Sequence, residues 1–204
     1  MAWVTIRDQE GAAVSSVRSE SYSLEEYFAL ERASERRFEY RDGEIVCMSG
    51  GSIEHAAIAA NIISLLKIKL RGGSCRVYGS DLAVYAPGGH PYRYPDVSVV
   101  CGEPNIHQVD GRDCLENPTL LVEVLSPGSA NYDRGTKFEE YKSIPSFAEY
   151  LLVAQDRPHI ARRTRQDRNT WHETAFDSFD TTIHLETIGV NLDMREVYEG
   201  MSFK

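Results

Sequence analysis

Apolar positions in this chain come in short runs, and one of the runs is interrupted by a charge. Leu120 to Leu125 reads as a strand, begun after Asn117-Pro118 and stopped by Ser126-Pro127. Alternation puts Leu120, Val122 and Val124 on one face and Leu121, Glu123 and Leu125 on the other. Glu123 is thus a carboxylate within an apolar strand, costly to bury unless a metal, a cation or a donor network meets it. Further strands are predicted over Cys75–Tyr78, Leu82–Ala86, Val97–Cys101 and Glu149–Ala154. Phe38 to Met48 alternates about Asp42-Gly43, a pair that supplies the positive-φ turn of a β-hairpin. From Ile160 onward, short alternating runs predict more antiparallel sheet.

Helical spacing is found in three places. Ser23 and Glu26 form a capping box that starts a helix through Ala33. Ser52 caps a longer helix with Ile58, Ile62, Leu65, Leu66 and Leu70 at helical spacing, closed by Gly72-Gly73. A third helix is expected from Tyr132 to Ser143, ended by Pro145. The loop from Pro87 to Tyr94 is rich in turn residues, and Gly102 to Asn117 is polar enough to predict an excursion over the surface. Residues 1–21 carry weak periodicity and read as a loose arm before one domain over residues 22–204. The fold class expected is α+β, with a mixed central sheet flanked by two main helices.

Charge narrows the function. A net charge of −9 over 204 residues and a pI near 5.2 exclude a generally basic nucleic-acid binder, though not a local basic groove. Cys47, Cys75, Cys101 and Cys114 show no CxxC spacing, and residues 1–7 lack the apolar core of a signal peptide. The expectation is four reduced thiols in a cytoplasmic protein. No apolar run approaches the ~20 residues that span a bilayer, so no membrane partner is expected.

The candidate chemistry centres on Asp96 and Glu123. Asp96 follows Pro95 at the start of an apolar strand, which is often a plain turn signal. One sheet could bring both carboxylates to one edge, where two hard oxygen donors, a backbone carbonyl and waters suit Mg²⁺. Such an ion polarises a phosphoryl oxygen and activates water. On the next helix, Lys137 would stabilise developing charge, or else form an exposed ion pair worth little. Gly50-Gly51 before a helix could hold a phosphate or simply turn the chain, and His55 in the first turn reads either as a cap or as a site residue. Arg162, Arg163 and Arg165 belong to the most basic stretch and could track a nucleic-acid backbone, or guard an exposed strand edge. Tyr85, Tyr92 and Tyr94 could stack on bases or line a loop.

Four segments together resemble the Uma2 family, a bacterial group of restriction-endonuclease-like proteins. They are Tyr94-Pro-Asp96-Val-Ser-Val-Val, Leu121-Val-Glu123-Val-Leu-Ser-Pro127, Asp133-Arg-Gly-Thr-Lys137-Phe-Glu-Glu-Tyr141 and Ile144-Pro-Ser-Phe-Ala-Glu149-Tyr150. Phe38-Glu39-Tyr-Arg-Asp-Gly43 and Glu54-His55 extend the match upstream, so it covers about Leu24 to Gly200. The resemblance implies the PD-(D/E)xK nuclease fold. Asp96 and Glu123 then hold Mg²⁺, for which Mn²⁺ substitutes, and a lysine assists the water. Leu125 stands where that superfamily's lysine is found, and Lys137 is the matching position of this family. Glu39 and His55 match family positions as accessory residues. The implied activity is endonucleolytic hydrolysis of DNA, with a homodimer by analogy with nucleases that pair to cut two strands. Two other readings stay open. In one, a catalytically silent module binds nucleic acid or a protein partner. In the other, Glu123 and Lys137 form a buried salt bridge without metal.

Overall fold

Local signals set the first elements where expected. The computed structural model of the chain describes residues 21–34, 36, 38–41, 43–47, 51–87, 92–109 and 111–203. The loose arm expected over residues 1–21 lies outside them, apart from Ser21. Helix α1 (Leu24–Ala33) has the full capping box between Ser23 and Glu26. Strands β1 (Phe38–Arg41) and β2 (Glu44–Cys47) pair as the predicted hairpin. Gly43 takes a φ of 88°, open to glycine at little cost; Asp42 lies outside the described residues. Ser52 caps α2 (Ile53–Lys69) by accepting from the His55 N–H.

Next come β3 (Cys75–Gly79), β4 (Ala83–Tyr85), β5 (Tyr92–Arg93), β6 (Val97–Cys101), β7 (Ile106–Val109), β8 (Arg112–Leu115) and β9 (Leu120–Leu125). Two short helices, α3 (Ala130–Arg134) and α4 (Thr136–Tyr141), lead to β10 (Glu149–Ala154). The chain ends in β11 (Ile160–Arg165), β12 (Trp171–Phe176), β13 (Thr182–Leu185), β14 (Val190–Asp193) and α5 (Met194–Val197).

The central sheet runs β12-β11-β10-β9-β6-β3. Only β9 and β10 are parallel in it, which requires a crossover; α3 and α4 provide it. The sheet is therefore covered on both faces. Ile58, Ile62 and Leu66 of α2 pack on Val97, Val99, Leu120, Val122 and Val124. Tyr141, Phe147 and Tyr150 pack with Leu121, Leu125 and Leu152 on the opposite face. The alternation read from sequence thus puts Glu123 on the α4 side. A second sheet, β5-β4-β8-β7, meets α1 and the β1–β2 hairpin through Tyr27, Phe38, Tyr40, Tyr92 and Cys114. The observed class is the expected α+β fold, with a mixed sheet, flanking helices and extra antiparallel strands.

Three expectations need correction. The polar segment after Gly102 is no excursion: β7 and β8 form a hairpin that joins the second sheet. Its turn carries the same Asp-Gly signal, with Gly111 at φ 79°. The expected helix from Tyr132 to Ser143 starts earlier and breaks at Gly135, where φ is −107° and ψ −97°. Glycine is the weakest helix former after proline, and a Cβ there would meet the Asn131 carbonyl at 3.1 Å.

The third correction concerns the cysteines. Cys75 and Cys101 face each other across β3 and β6 and are disulfide-bonded; Cys47 and Cys114 are free and buried. Sequence spacing cannot reveal such a pair, because the strand register sets the approach of the two residues. Closing a loop across 26 positions stabilises by about 3 kcal/mol. Reduction should therefore lower the urea midpoint of the wild type and leave Cys75→Ala/Cys101→Ala unchanged. Among the described residues, no helix is long and apolar enough to cross a membrane.

Candidate active site

Strand ends and one helix bring the acids together. Asp96 sits just before β6, and the Val124 N–H donates to its Oδ2 at 2.7 Å. This bond ties β9 to the residue just before β6, so it fixes Asp96 beside Glu123. His55, in the first turn of α2, places Nε2 3.3 Å from the same Asp96 oxygen. Burial alone would lower the His55 pKa, but the hydrogen bond to Asp96 and its charge outweigh burial and raise it. Gly51 leaves room for the ring, since a Cβ there would lie 2.9 Å from His55 Nδ1. Gly51→Ala should therefore push the imidazole off Asp96. The His55 pKa, followed by NMR titration, should fall as that contact is lost; an unchanged titration would count against the arrangement.

Glu123 is 3% exposed. Its Oε1 accepts from Lys137 Nζ at 2.7 Å and from the Tyr141 hydroxyl at 3.1 Å. Lys137, also 3% exposed, stands among three carboxylates. Nζ lies 3.6 Å from Glu39 Oε1 and 3.6 Å from Asp133 Oδ1, and it donates to the Tyr94 carbonyl at 3.3 Å. Burial opposes its charge, but Glu123, Glu39 and Asp133 more than compensate, and its pKa is raised. Lys137 is thus held as an ammonium. Glu39 Oε2 accepts from Arg41 Nε and Nη2 at 3.1 and 2.8 Å. Against the cost of burial, Lys137, Arg41 and Arg93 hold the Glu39 carboxyl down to about 2. Glu123 goes the other way: burial pushes it well up, helped by Asp133 and Asp96, beyond what Lys137 restores. Asp133 is raised by burial as well.

Glu39, His55, Asp96, Glu123, Asp133 and Lys137 line one cleft of about 710 Å³. Its floor carries four carboxylates around one ammonium, an excess of hard oxygen donors in a buried place. That is the donor chemistry of Mg²⁺, which keeps several waters and takes one or two protein carboxylates. Among the described residues, no group of three or more His, Cys, Asp or Glu side chains is placed to hold a metal ion. Two carboxylates completed by water is the arrangement that fits.

Of the residues singled out from sequence, Glu39, His55, Asp96, Glu123 and Lys137 line this cleft. Asp133 joins them and was passed over, although its i,i+4 spacing to Lys137 was a readable signal. A buried support was missed too. Arg93 pairs with both Glu140 oxygens at 2.5 and 2.7 Å and donates to the Tyr40 carbonyl at 2.5 Å. It ties β5 to the residue after Glu39 and to the α4 turn after Lys137.

Arg162, Arg163 and Arg165 lie elsewhere. They sit on β11, which is paired on both sides and so is not an edge. Arg162 donates to the His184 carbonyl, Arg163 pairs with Glu173 at 2.6 Å, and Arg165 donates to the carbonyls of Pro145 and Lys142. Tyr92 and Tyr94 are buried in the cluster under α1, and Tyr85 stacks on His107. Gly50 lies outside the described residues.

The sheet, the crossover helices and the acid-floored cleft define a restriction-endonuclease-like protein. The fold is similar to that of a crystal structure titled a putative nuclease belonging to DUF820, from Anabaena variabilis. That match has a TM-score of 0.65 at 18% identity, covering 81% of this chain and 91% of that one. In sequence, the chain is 34% identical over 186 residues to the uncharacterized protein slr1290 of Synechocystis, covering 89% of this chain and 93% of its relative. A second Synechocystis protein, the uncharacterized sll1609, is 32% identical over 130 residues, 64% of this chain and 73% of its own. Residues 24–195 match the family model Uma2, described as putative restriction endonuclease. The chain belongs to the Uma2 family.

Proposed function

We propose that this protein is a Mg²⁺-dependent endonuclease that hydrolyses DNA phosphodiester bonds. The observation that carries the reading is the convergence of Asp96, Glu123 and Lys137 on one cleft floor. Asp96 and Glu123 would hold the ion, with Mn²⁺ as a substitute. When bound, it would supply Lewis-acid activation of phosphate and water. The Val124 N–H and His55 orient Asp96, and the Tyr141 hydroxyl orients Glu123. Lys137, kept protonated by its neighbours, is an electrostatic stabiliser of charge on the phosphoryl oxygens rather than a proton acceptor. Cutting both strands at one site would take a second copy of the chain.

The test is calorimetric titration of Mn²⁺ into wild type and Glu123→Gln, with plasmid nicking on the same samples. Wild type should bind and nick, and the variant should do neither. Metal binding without cleavage of any nucleic acid would favour the silent binding module instead. One observation favours a third reading: Lys137 already has a 2.7 Å partner in Glu123, a buried ion pair that needs no metal. A melt in chelator separates it. If the pair is structural, Glu123→Gln unfolds more easily than wild type. If the site is built for a cation, removing one buried negative charge leaves stability equal or higher.

A further inference from the structure

Lys137 is held more closely by one carboxylate than by the others around it. Its ammonium has three N–H groups. One goes to Glu123 Oε1 at 2.7 Å and one to the Tyr94 carbonyl at 3.3 Å. Glu39 Oε1 and Asp133 Oδ1 each lie 3.6 Å from Nζ, too far for a good hydrogen bond. Glu39 Oε1 is buried, and among the described residues it meets the ammonium at that distance without any hydrogen bond. A buried carboxylate oxygen left so is costly. Nor is it free to turn toward a donor. The other oxygen of the same carboxylate accepts two N–H groups of Arg41, at 3.1 and 2.8 Å. Arg41 in turn lies over the Tyr132 ring, 4.0 Å from its centroid, which ties β1 to α3. Glu39 is thus an acceptor fixed in place, just beyond the hydrogen-bond reach of Lys137.

We propose that Lys137 has two positions, on Glu123 in the metal-free protein and on Glu39 when a divalent cation holds Glu123, with Glu39 as the positioning residue. This rests on the metal reading of the site and deepens it by naming where the ammonium goes. The need for a move is electrostatic. A cation on Glu123 and an ammonium 2.7 Å from one oxygen of the same carboxylate repel each other. The site is buried, so water and salt screen that repulsion little. Leaving Glu123 with no other acceptor would strand a buried ammonium, which is also costly. A second carboxylate within the swing of one side chain removes both problems. Lysine suits the task, with a flexible stem of four carbons and three rotatable donors. Asp133 is the poorer acceptor, because Ser129 already hydrogen-bonds its carboxylate. Glu39 itself lines the cleft, so the move keeps the ammonium beside the substrate. The 2.7 Å pair with Glu123 is then the resting state of this lysine.

The test follows the lysine itself. Full-length wild type is titrated with Mg²⁺, and NMR reads the scalar coupling across the hydrogen bond from Lys137 Nζ to the carboxylate carbon of its acceptor. Without metal the coupling partner should be Glu123, and at saturating Mg²⁺ it should be Glu39. Calorimetry on the same titration gives the linked effect. Glu39→Asp keeps the charge and draws the carboxylate back by one methylene. It should weaken Mg²⁺ binding about tenfold, as should Glu39→Gln, with circular dichroism unchanged. The wild-type coupling decides the matter if either variant fails to fold. A coupling that stays on Glu123 would overturn the inference, since Lys137 then has one position. So would Glu39→Asp binding Mg²⁺ as tightly as wild type, since Glu39 then acts by charge alone. A wild type that binds no Mg²⁺ would remove the metal reading and this inference with it. The expected coupling change without nicking of any nucleic acid would sink the endonuclease reading and leave this one standing.

Discussion

Lys137→Met is expected to abolish plasmid nicking, by at least about a hundredfold, and to destabilise the fold by about 3–5 kcal/mol at neutral pH. Both effects follow from the same geometry. The ammonium is the cation shared by Glu39, Glu123 and Asp133, all of them buried. Methionine fills much of the same volume, so the loss is of charge rather than packing. The pH dependence fixes the cause. Glu123 and Asp133 have folded pKa values raised above their unfolded ones, so the native state binds more protons than the unfolded state. Their destabilising effect grows as pH rises above the unfolded values of 4.5 and 3.8 and vanishes below them. Without Lys137 these values rise further, and Glu39 loses the largest of the three cationic contributions that hold it down.

The raised pKa of Lys137 has the opposite sense. It contributes stability that is fully present below its unfolded value of 10.5 and lost as pH rises through the folded one. The variant lacks that contribution throughout the neutral range. Its deficit against wild type should therefore be largest near neutrality and shrink on acidification. Urea melts in chelator at several pH values would show it. A deficit independent of pH would mean that packing, not charge, is what Lys137 supplies.

Arg93→Met should cost about 3–5 kcal/mol as well, because it leaves the Glu140 carboxylate buried without its cation. Arg93 is fully buried and Glu140 nearly so, so solvent screens the pair little. Arg93→Met/Glu140→Met should recover a large part of that loss, since apolar replacement of a whole buried pair is often close to neutral. The Tyr40 carbonyl would still lack its donor, leaving a residual cost of about 1–3 kcal/mol. A double-mutant cycle on urea unfolding measures the coupling. If the double variant is as unstable as the sum of the singles, the two side chains are not acting as a pair. Activity of the folded double variant adds a separate readout. Arg93 holds Tyr40, next to Glu39, and Glu140, one turn after Lys137, so nicking should stay low even where stability returns.

Much of this site was legible because its signals are local. Glu123 stood out as a charge in an apolar strand, and alternation alone gave its face. Ser52 and the helical run after it placed His55 in a first turn. The Asp-Gly pair set the hairpin that carries Glu39. The β7–β8 hairpin was misread although it carries the same turn signal, because its polar composition masked a short alternation. The break at Gly135 was misread because the flanking residues have good helical spacing. The arginine run on β11 looked like a binding surface because charge in sequence says nothing of whether a carboxylate or carbonyl waits nearby.

The sequence by itself determined which residues are acids on strands, which faces those strands present, and the α+β class that follows from the order of periodicities. Tertiary structure alone decided that Asp96 meets the Val124 N–H, that Lys137 serves three carboxylates at once, that Cys75 reaches Cys101, and that Arg93 finds Glu140. Each of these contacts depends on strand register and on how a crossover helix sits over the sheet. Register is a cooperative outcome of packing two faces, and a shift of one residue would turn Glu123 away from Lys137. Periodicity along the chain fixes a face, but only packing fixes what that face meets.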